Sequence, residues 1–333
     1  MTIIADNLAS LSIADPVVRD NLAAWPLVRP GSPAPDYLVL DEALAAGVAR
    51  VTEVSESGHV PELAFENGGS KPVLLLDGEE LVGARQNRVL NLTLLVAAGG
   101  KLVIPVSCVE EGRWAWRSRH FESSRRSMYA RGRARKTVQV SRSLRVANAR
   151  HSDQAAVWED VRAKAEALAV RSETHAMADA YESARSRLQT LTRGFGPRPD
   201  QVGAVFAVNG RVAGLELFDC AGTWEKLGPR LTESYAMDAL EHEGSDSGVP
   251  GPRPVADFLI RVQQAPVERF DALALGEDIR LGGAGLVGGG LQLGERLVQL
   301  SVFEDPDTDT RGRGRGGARV VSLARRRAAR MER

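Results

Sequence analysis

Hydrophobic and polar positions alternate in short runs along much of the chain, the period-two signature of half-buried strands. After a polar lead-in over residues 1–20, residues 37–40 read as a short strand, 41–47 as a helical turn and 48–54 as a strand. From Pro72 the pattern strengthens. Residues 73–76 form an apolar strand, and Asp77-Gly78 has the composition of a two-residue type I′ turn, whose central positions both need positive φ. Residues 79–82 then begin a return strand that runs through Gly83, a position suited to a bulge, to Leu95. Ala98-Gly99-Gly100 turns the chain back into residues 102–110, so the expectation is a three-stranded antiparallel meander. A three-residue loop at that turn sets Leu94 opposite Ile104, Leu92 opposite Val106, Leu90 opposite Cys108 and Arg88 opposite Glu110.

Residues 151–192 change to helical spacing, with Trp158, Val161, Ala165, Leu168, Ala176, Ala180, Ala184, Leu188 and Leu191 as the apolar stripe. Ser152 is the expected N-cap and Asp153 falls in the first turn. The spacing predicts two helices, or one broken near 172–174. Residues 203–208 and 211–218 form the clearest hairpin, around Asn209-Gly210. A helix through 234–241, a Gly/Ser/Pro loop at 244–254, a short helix at 255–264 and Gly-rich strands ending at 299–303 complete the reading. Gly282 to Gly290 lacks the Lys-Ser/Thr of a phosphate loop and reads as tight strand turns. The fold class is α+β, an antiparallel meander and hairpin-rich core with a central helical segment and additional short helices. The expected organisation is a lead-in at 1–20, one domain at 21–304 and a disordered Arg/Gly-rich tail at 305–333. Within the domain, 37–146 is β-rich, 151–192 helical and 202–304 mixed.

Composition adds little, since 43% hydrophobic and 26% charged residues are ordinary for a folded chain. Charge is informative only when divided. The 43 basic and 43 acidic residues cancel overall, yet 113–150 holds twelve Lys/Arg against one acid, and 311–333 holds nine Arg against one acid. Trp114, Trp116, Phe121, Met128, Tyr129, Val138, Val140, Leu144 and Val146 interrupt the first segment and assign it to the fold. The second reads as a solvated tail able to touch nucleic acid weakly through phosphate attraction. Cys108 and Cys220 supply no disulfide framework and no paired metal-ligand spacing, which together with the absence of a signal segment suggests a cytoplasmic protein and names no cofactor. The apolar run 89–109 is interrupted by Lys101 and Gly99-Gly100, so no membrane span is expected. The five histidines form no motif.

Strand alternation puts Gln86 and Arg88 on one face and Cys108 with Glu110 on one face of their own strand. Glu79 or Glu80 from the same meander can join them. An Arg fork suits phosphate or carboxylate, a Gln amide suits a base or sugar hydroxyl, and a Glu can move a proton. The ordinary alternative is a cross-strand Arg88–Glu110 pair worth about 0.2–1 kcal/mol. Cys108 is a nucleophile only if its thiolate is stabilised. Neighbouring Glu110 opposes that, and a buried structural thiol is the plainer reading.

The run Asp77-Gly78-Glu79-Glu80-Leu81-Val82-Gly83-Ala84-Arg85-Gln86-Asn87-Arg88, with Ile104-Pro105-Val106-Ser107-Cys108-Val109-Glu110 and Gly112-Arg113-Trp114, resembles the ARG and Rhodanese-Phosphatase-superfamily-associated protein domain. Ser152-Asp153-Gln154, Val157-Trp158 and Ser234-Tyr235-Ala236-Met237-Asp238-Ala239 extend the resemblance over roughly residues 20–304. It nominates Glu79, Gln86, Arg88, Cys108 and Glu110 as the site. The family's association with ADP-ribosylglycohydrolase and rhodanese-phosphatase-like domains implies processing or sensing of ADP-ribose or related NAD-derived nucleotides. On the enzymatic reading Arg88 and Arg113 hold phosphate, Gln86 and Asn87 orient ribose or base, and Glu110 and Glu79 act as general acid and base, with Cys108 at the same site. The alternatives are a non-catalytic nucleotide-binding module on the same residues, and nucleic-acid binding through the basic segments. The first two expect the carboxylates to meet Arg88 in one open pocket.

Overall fold

The chain is described by a computed structural model over residues 2–55, 60–242, 248 and 250–306. Of the expected loop at 244–254, residues 244–247 and 249 lie outside these residues and Pro252 already begins a helix; the expected tail lies outside them from residue 307. The lead-in is structured: α1 (Ile3–Ala9) is capped by the Thr2 hydroxyl, and β1 (Ser12–Ile13) and β2 (Val17–Arg19) both pair with β3 (Leu22–Val28). Next come β4 (Leu38–Val39), α2 (Leu40–Ala45), β5 (Ala49–Glu53) and β6 (Glu62–Asn67), the first three close to their expected places.

The predicted meander is redistributed over β7 (Val73–Leu75), β8 (Glu79–Gly83), β9 (Arg88–Leu90), β10 (Leu94–Val96) and β11 (Lys101–Cys108). Here β7 pairs with β10 and, in parallel, with β4, whereas β8 pairs with β9. Asp77-Gly78 therefore links two sheets and does not close a hairpin. Gly78 has φ +79°, and a Cβ there would lie 2.4 Å from Cδ of Arg133, so the glycine serves both the backbone conformation and that side chain's passage.

The remaining elements are β12 (Phe121–Ser127), α3 (Ala130–Ala147), α4 (Gln154–Ala167), α5 (Met177–Ser183), α6 (Arg185–Leu191), β13 (Gln201–Val208), β14 (Arg211–Phe218), α7 (Ala221–Ala239), α8 (Pro252–Gln264), β15 (Val267–Asp271), β16 (Glu277–Gly283), β17 (Leu286–Leu293) and β18 (Arg296–Glu304). The central helical segment is three helices, and its first is capped by Asp153, whose carboxylate accepts the Ala155 and Ala156 amides. Ser152 instead shares a hydrogen bond with Ser107. The stretch expected to be β-rich up to 146 contains the 18-residue α3. Its buried face mixes Ala130, Ala134, Val140 and Leu144 with Gly132, Arg133, Lys136 and Ser141, so the apolar stripe that would announce it is broken. The Asn209-Gly210 hairpin forms as expected, with both turn residues at positive φ. Gly288, Gly289 and Gly290 lie within β17 and not in turns.

Three sheets result, all antiparallel except the β4–β7 pair. The largest runs β1-β3-β13-β14-β18-β17-β16-β15 with β2 beside β3; a six-stranded sheet runs β12-β8-β9-β11-β6-β5; the third is β10-β7-β4. Both faces of the large sheet are covered. Ala23, Trp25, Leu27, Val205 and Leu215 pack with Ile4 and Leu8 of α1 and Val255, Phe258 and Val262 of α8. Leu22, Ala24, Phe206 and Phe303 face the opposite way, into the core shared with α3, α4, α5 and α7. Double burial explains why β3 and β13 read as continuous apolar runs without alternation. Among the described residues no helix is long and apolar enough to cross a membrane.

Two cations of α3 tie the layers together. Arg133 is fully buried and donates to Glu216 of β14 (2.7 Å), Ser234 of α7 (2.9 Å) and the Met128 carbonyl (3.0 Å). Lys136 pairs with Asp77 and donates to the Leu90 carbonyl (2.7 Å). A Glu216→Gln variant leaves the Arg133 charge buried without its counter-charge, and urea unfolding is expected to show a loss of about 3–5 kcal/mol. Adding Arg133→Met to it is expected to restore part of that loss.

Candidate functional site

The residues nominated from sequence come together where β8 and β9 are joined by residues 84–87 and lie beside the end of β11. The register differs from the expected one. β11 gives its first half to β6, from Lys101 opposite Glu66 to Pro105 opposite Glu62, and only then turns to β9, where Val106 faces Leu90 and Cys108 faces Arg88. The displacement is two residues. Side chains alternate with period two, so the same side chains still share a face, whereas a slip of one would have separated them.

Gln86 is the hub of the cluster. Its Oε1 accepts from Arg88 Nη1 and from the Cys108 thiol, both at 3.2 Å, and its Nε2 donates to the Glu110 carbonyl at 2.9 Å. The Glu110 carboxylate accepts a fork from Arg113 (2.7 and 2.8 Å), the Asn87 amide (3.0 Å) and the Thr174 hydroxyl (3.1 Å). Ser107 and Cys108 are in turn held from α4 and its cap. Gln154 donates to the Cys108 carbonyl and accepts its amide, each at 2.8 Å, and Ser152 meets the Ser107 hydroxyl, which accounts for the Ser152-Asp153-Gln154 motif.

This network is closed. Arg88 and Cys108 are fully buried, and Gln86, Asn87 and Glu110 are at most 4% exposed. Burial pushes the Cys108 thiol up, against the opposing pull of Arg88, which disfavours the thiolate a nucleophile needs. Burial also lowers Arg88, whose Nε and Nη2 make no hydrogen bond among the described residues.

Glu79 and Glu80 diverge, as neighbours on a strand must. Glu79 pairs with Arg230 of α7, which also holds Asp41 of α2, and it accepts the Leu76 amide at 2.9 Å. It does not meet Glu110 or Arg88. Glu80 points the other way and is fully buried; burial pushes its carboxyl up to about 7, the Ser124 hydroxyl and Arg126 pull it back, and the charges of Glu110 and Asp179 push it further up. Its two oxygens lack well-aligned donors.

Ser124 and Arg126 belong to a cleft that sequence reasoning did not find. β12 bulges between Ser123 and Ser127 where it passes β8, and Arg125 takes φ +58°, an uncommon conformation for a residue with a side chain. The Ser123 and Ser124 hydroxyls accept the Arg125 and Arg126 amides and stabilise the bulge. Across from it, α5, α6 and α7 complete a cavity of about 220 Å³ lined by Arg125, Arg126, Tyr181, Arg185 and Glu233 among others. Arg126 lies over the Tyr181 ring and, with Arg185, pairs with Glu182 at 3.1 and 2.6 Å. Burial raises Glu233, with Arg126 and Arg230 opposing. The only signal in the sequence is a Ser-Ser-Arg-Arg run that breaks the alternation of a strand. Among the described residues no group of His, Cys, Asp and Glu is placed to hold a metal ion.

The model of the ARG and Rhodanese-Phosphatase-superfamily-associated Protein domain matches residues 10–303, and the chain belongs to that family. Comparison with curated proteins and with solved structures returned no match.

Glu80 titrates near 7 when folded and near 4.5 in an unfolded chain, so between these values the native state binds the extra proton and stability falls as pH rises. Urea unfolding at a series of pH values is expected to show that slope reduced, by up to one proton, in Glu80→Gln between pH 5 and 7, with the two proteins parallel above pH 8.

Proposed function

With that family membership as the premise, we propose that the domain binds a phosphate-bearing nucleotide of the ADP-ribose class at the cleft between the β12 bulge and α5, α6 and α7. The observation that carries this reading is the convergence of Arg125, Arg126 and Arg185 on one cavity, beside Glu233 and in front of Glu80, two carboxyls that burial biases toward the protonated form. Guanidinium groups bind phosphate oxygens through paired, charge-assisted hydrogen bonds. A carboxyl that burial biases toward its protonated form can donate to a leaving oxygen in hydrolase-type chemistry, and in this reading Glu233, which lines the cleft, is that carboxyl. The nominated cluster acts behind the wall. Glu110, fixed by Arg113 and Asn87, adds to the field that keeps Glu80 protonated, while Gln86, Arg88 and Cys108 hold β8, β9 and β11 in place. Glu79 supports the same wall through Arg230. A domain that senses the nucleotide without cleaving it uses the same arginines.

Calorimetry with ADP-ribose, NAD and AMP, followed by chromatography for products, tests the proposal. Arg126→Gln with Arg185→Gln is expected to weaken ADP-ribose binding at least tenfold. Glu233→Gln is expected to bind with near-native affinity and to release no product. Native binding without product selects the sensing reading. Unchanged binding in the arginine variant, with loss in a folded Arg88→Ala, would move the site to the buried cluster and refute the cleft.

A further inference from the structure

A second feature lies on the loop between β11 and β12 and is independent of the cleft. Residues 113–120 hold three arginines and His120 and no acidic side chain. Trp114 and Trp116 are 47% and 48% exposed, while Trp25 and Trp224 are buried in the core. The two indoles flank one cation: the Arg85 guanidinium lies 5.4 Å from the Trp114 ring centre and 4.8 Å from that of Trp116. The loop carrying them is held firmly. The Arg117 amide donates to the Ala84 carbonyl (2.8 Å), the Ser118 hydroxyl accepts the Ala84 amide (3.0 Å) and donates to the His120 carbonyl (2.6 Å), and Arg113 donates to the Ala115 carbonyl (2.9 Å). Arg117 and Arg119 are exposed and make no ion pair among the described residues.

Large aromatic rings left half in water are a free-energy cost that burial against a partner would remove. Here the rings are preordered by Arg85, so little conformational entropy remains to be lost on binding. The cations one and three residues beyond Trp116 set the chemistry of that partner: it carries negative charges at short intervals and flat apolar faces between them. We propose that the Trp114–Arg119 loop, with Arg85, is a stacking platform for single-stranded nucleic acid, Trp114 and Trp116 taking unpaired bases and Arg117 and Arg119 the flanking phosphates. A duplex hides its base faces within the stack and fits less well.

Binding of fluorescein-labelled twelve-nucleotide deoxythymidine and uridine strands to the full chain, read by polarisation and by quenching of tryptophan emission, tests this. Trp114→Ala with Trp116→Ala is expected to weaken binding about tenfold per indole, and the corresponding Phe substitutions to retain most of the affinity. Arg117→Gln with Arg119→Gln is expected to lower the slope of log affinity against log salt by about 1.4. These positions are exposed, so the variants should melt like the native protein; should the Ala pair misfold, the Phe and Gln pairs carry the test. Binding by neither strand, or affinity unaltered by loss of both indoles, overturns the proposal. So does quenching by phosphatidylserine vesicles in the absence of quenching by either strand, which would mark a membrane-facing loop.

Discussion

The architecture depends on the neutralisation of two buried cations on one helix. Arg133 and Lys136 lie one turn apart on α3, both shielded from water, and a charge so placed is tolerable only with a counter-charge and hydrogen bonds. Glu216 comes from the large sheet and Asp77 from the crossing between the two smaller ones, so satisfying both cations sets all three sheets around α3. Glu216 also accepts from Tyr235 (3.0 Å) and Ser301 (2.5 Å), which brings α7 and β18 into the same network. Gly78 provides the space through which Arg133 passes.

That arrangement in turn places the cleft. The Met128 amide donates to the Gly78 carbonyl at 2.8 Å, so β12 joins α3 at the point where β8 begins. Between this anchor and the pairing of Phe121 with Gly83, β12 has more residues than the facing stretch of β8. The surplus is the bulge. It turns Arg125 and Arg126 toward α5 and α6 and leaves Glu80 beneath them, with the closed Gln86, Arg88 and Glu110 network behind. The left-handed backbone at Arg125 is held by the Ser123 and Ser124 hydroxyls, since a strained conformation persists only where its surroundings hold it.

The segment 113–150 shows how a sum of charges misleads. Twelve cations and one acid suggest a polyanion-binding strip, yet Arg113, Arg133, Lys136 and Arg150 are largely or wholly buried and hydrogen-bonded inside the protein. Their partners, Glu110, Glu216 and Asp77 among them, lie outside the segment. Arg131, Arg135 and Arg145 of α3 pair with Glu241, Asp160 and Glu268, so what remains for an external ligand is the Trp and Arg loop before β12, the arginines of the bulge and the exposed Arg142.

Read alone, the sequence determined the α+β class, the 203–218 hairpin, the family and the grouping of Gln86, Arg88, Cys108 and Glu110, because these rest on local turn chemistry, strand parity and contiguous motifs. Parity even protected the grouping against a pairing error of two residues. Strand partners were decided by tertiary structure: β7 leaves β8 for β10, and β11 divides itself between β6 and β9, choices that compare contacts far apart in the chain. Helix α3 was hidden because Arg133, Lys136, Gly132 and Ser141 interrupt the apolar period of Ala130, Ala134, Val140 and Leu144 on its inner face. The separation of Glu79 from Glu80, the closing of the nominated cluster and the opening of the cleft at Arg125 were likewise settled only in three dimensions. Burial and counter-charge are properties of what surrounds a side chain, and those surroundings come from elements tens to hundreds of residues away.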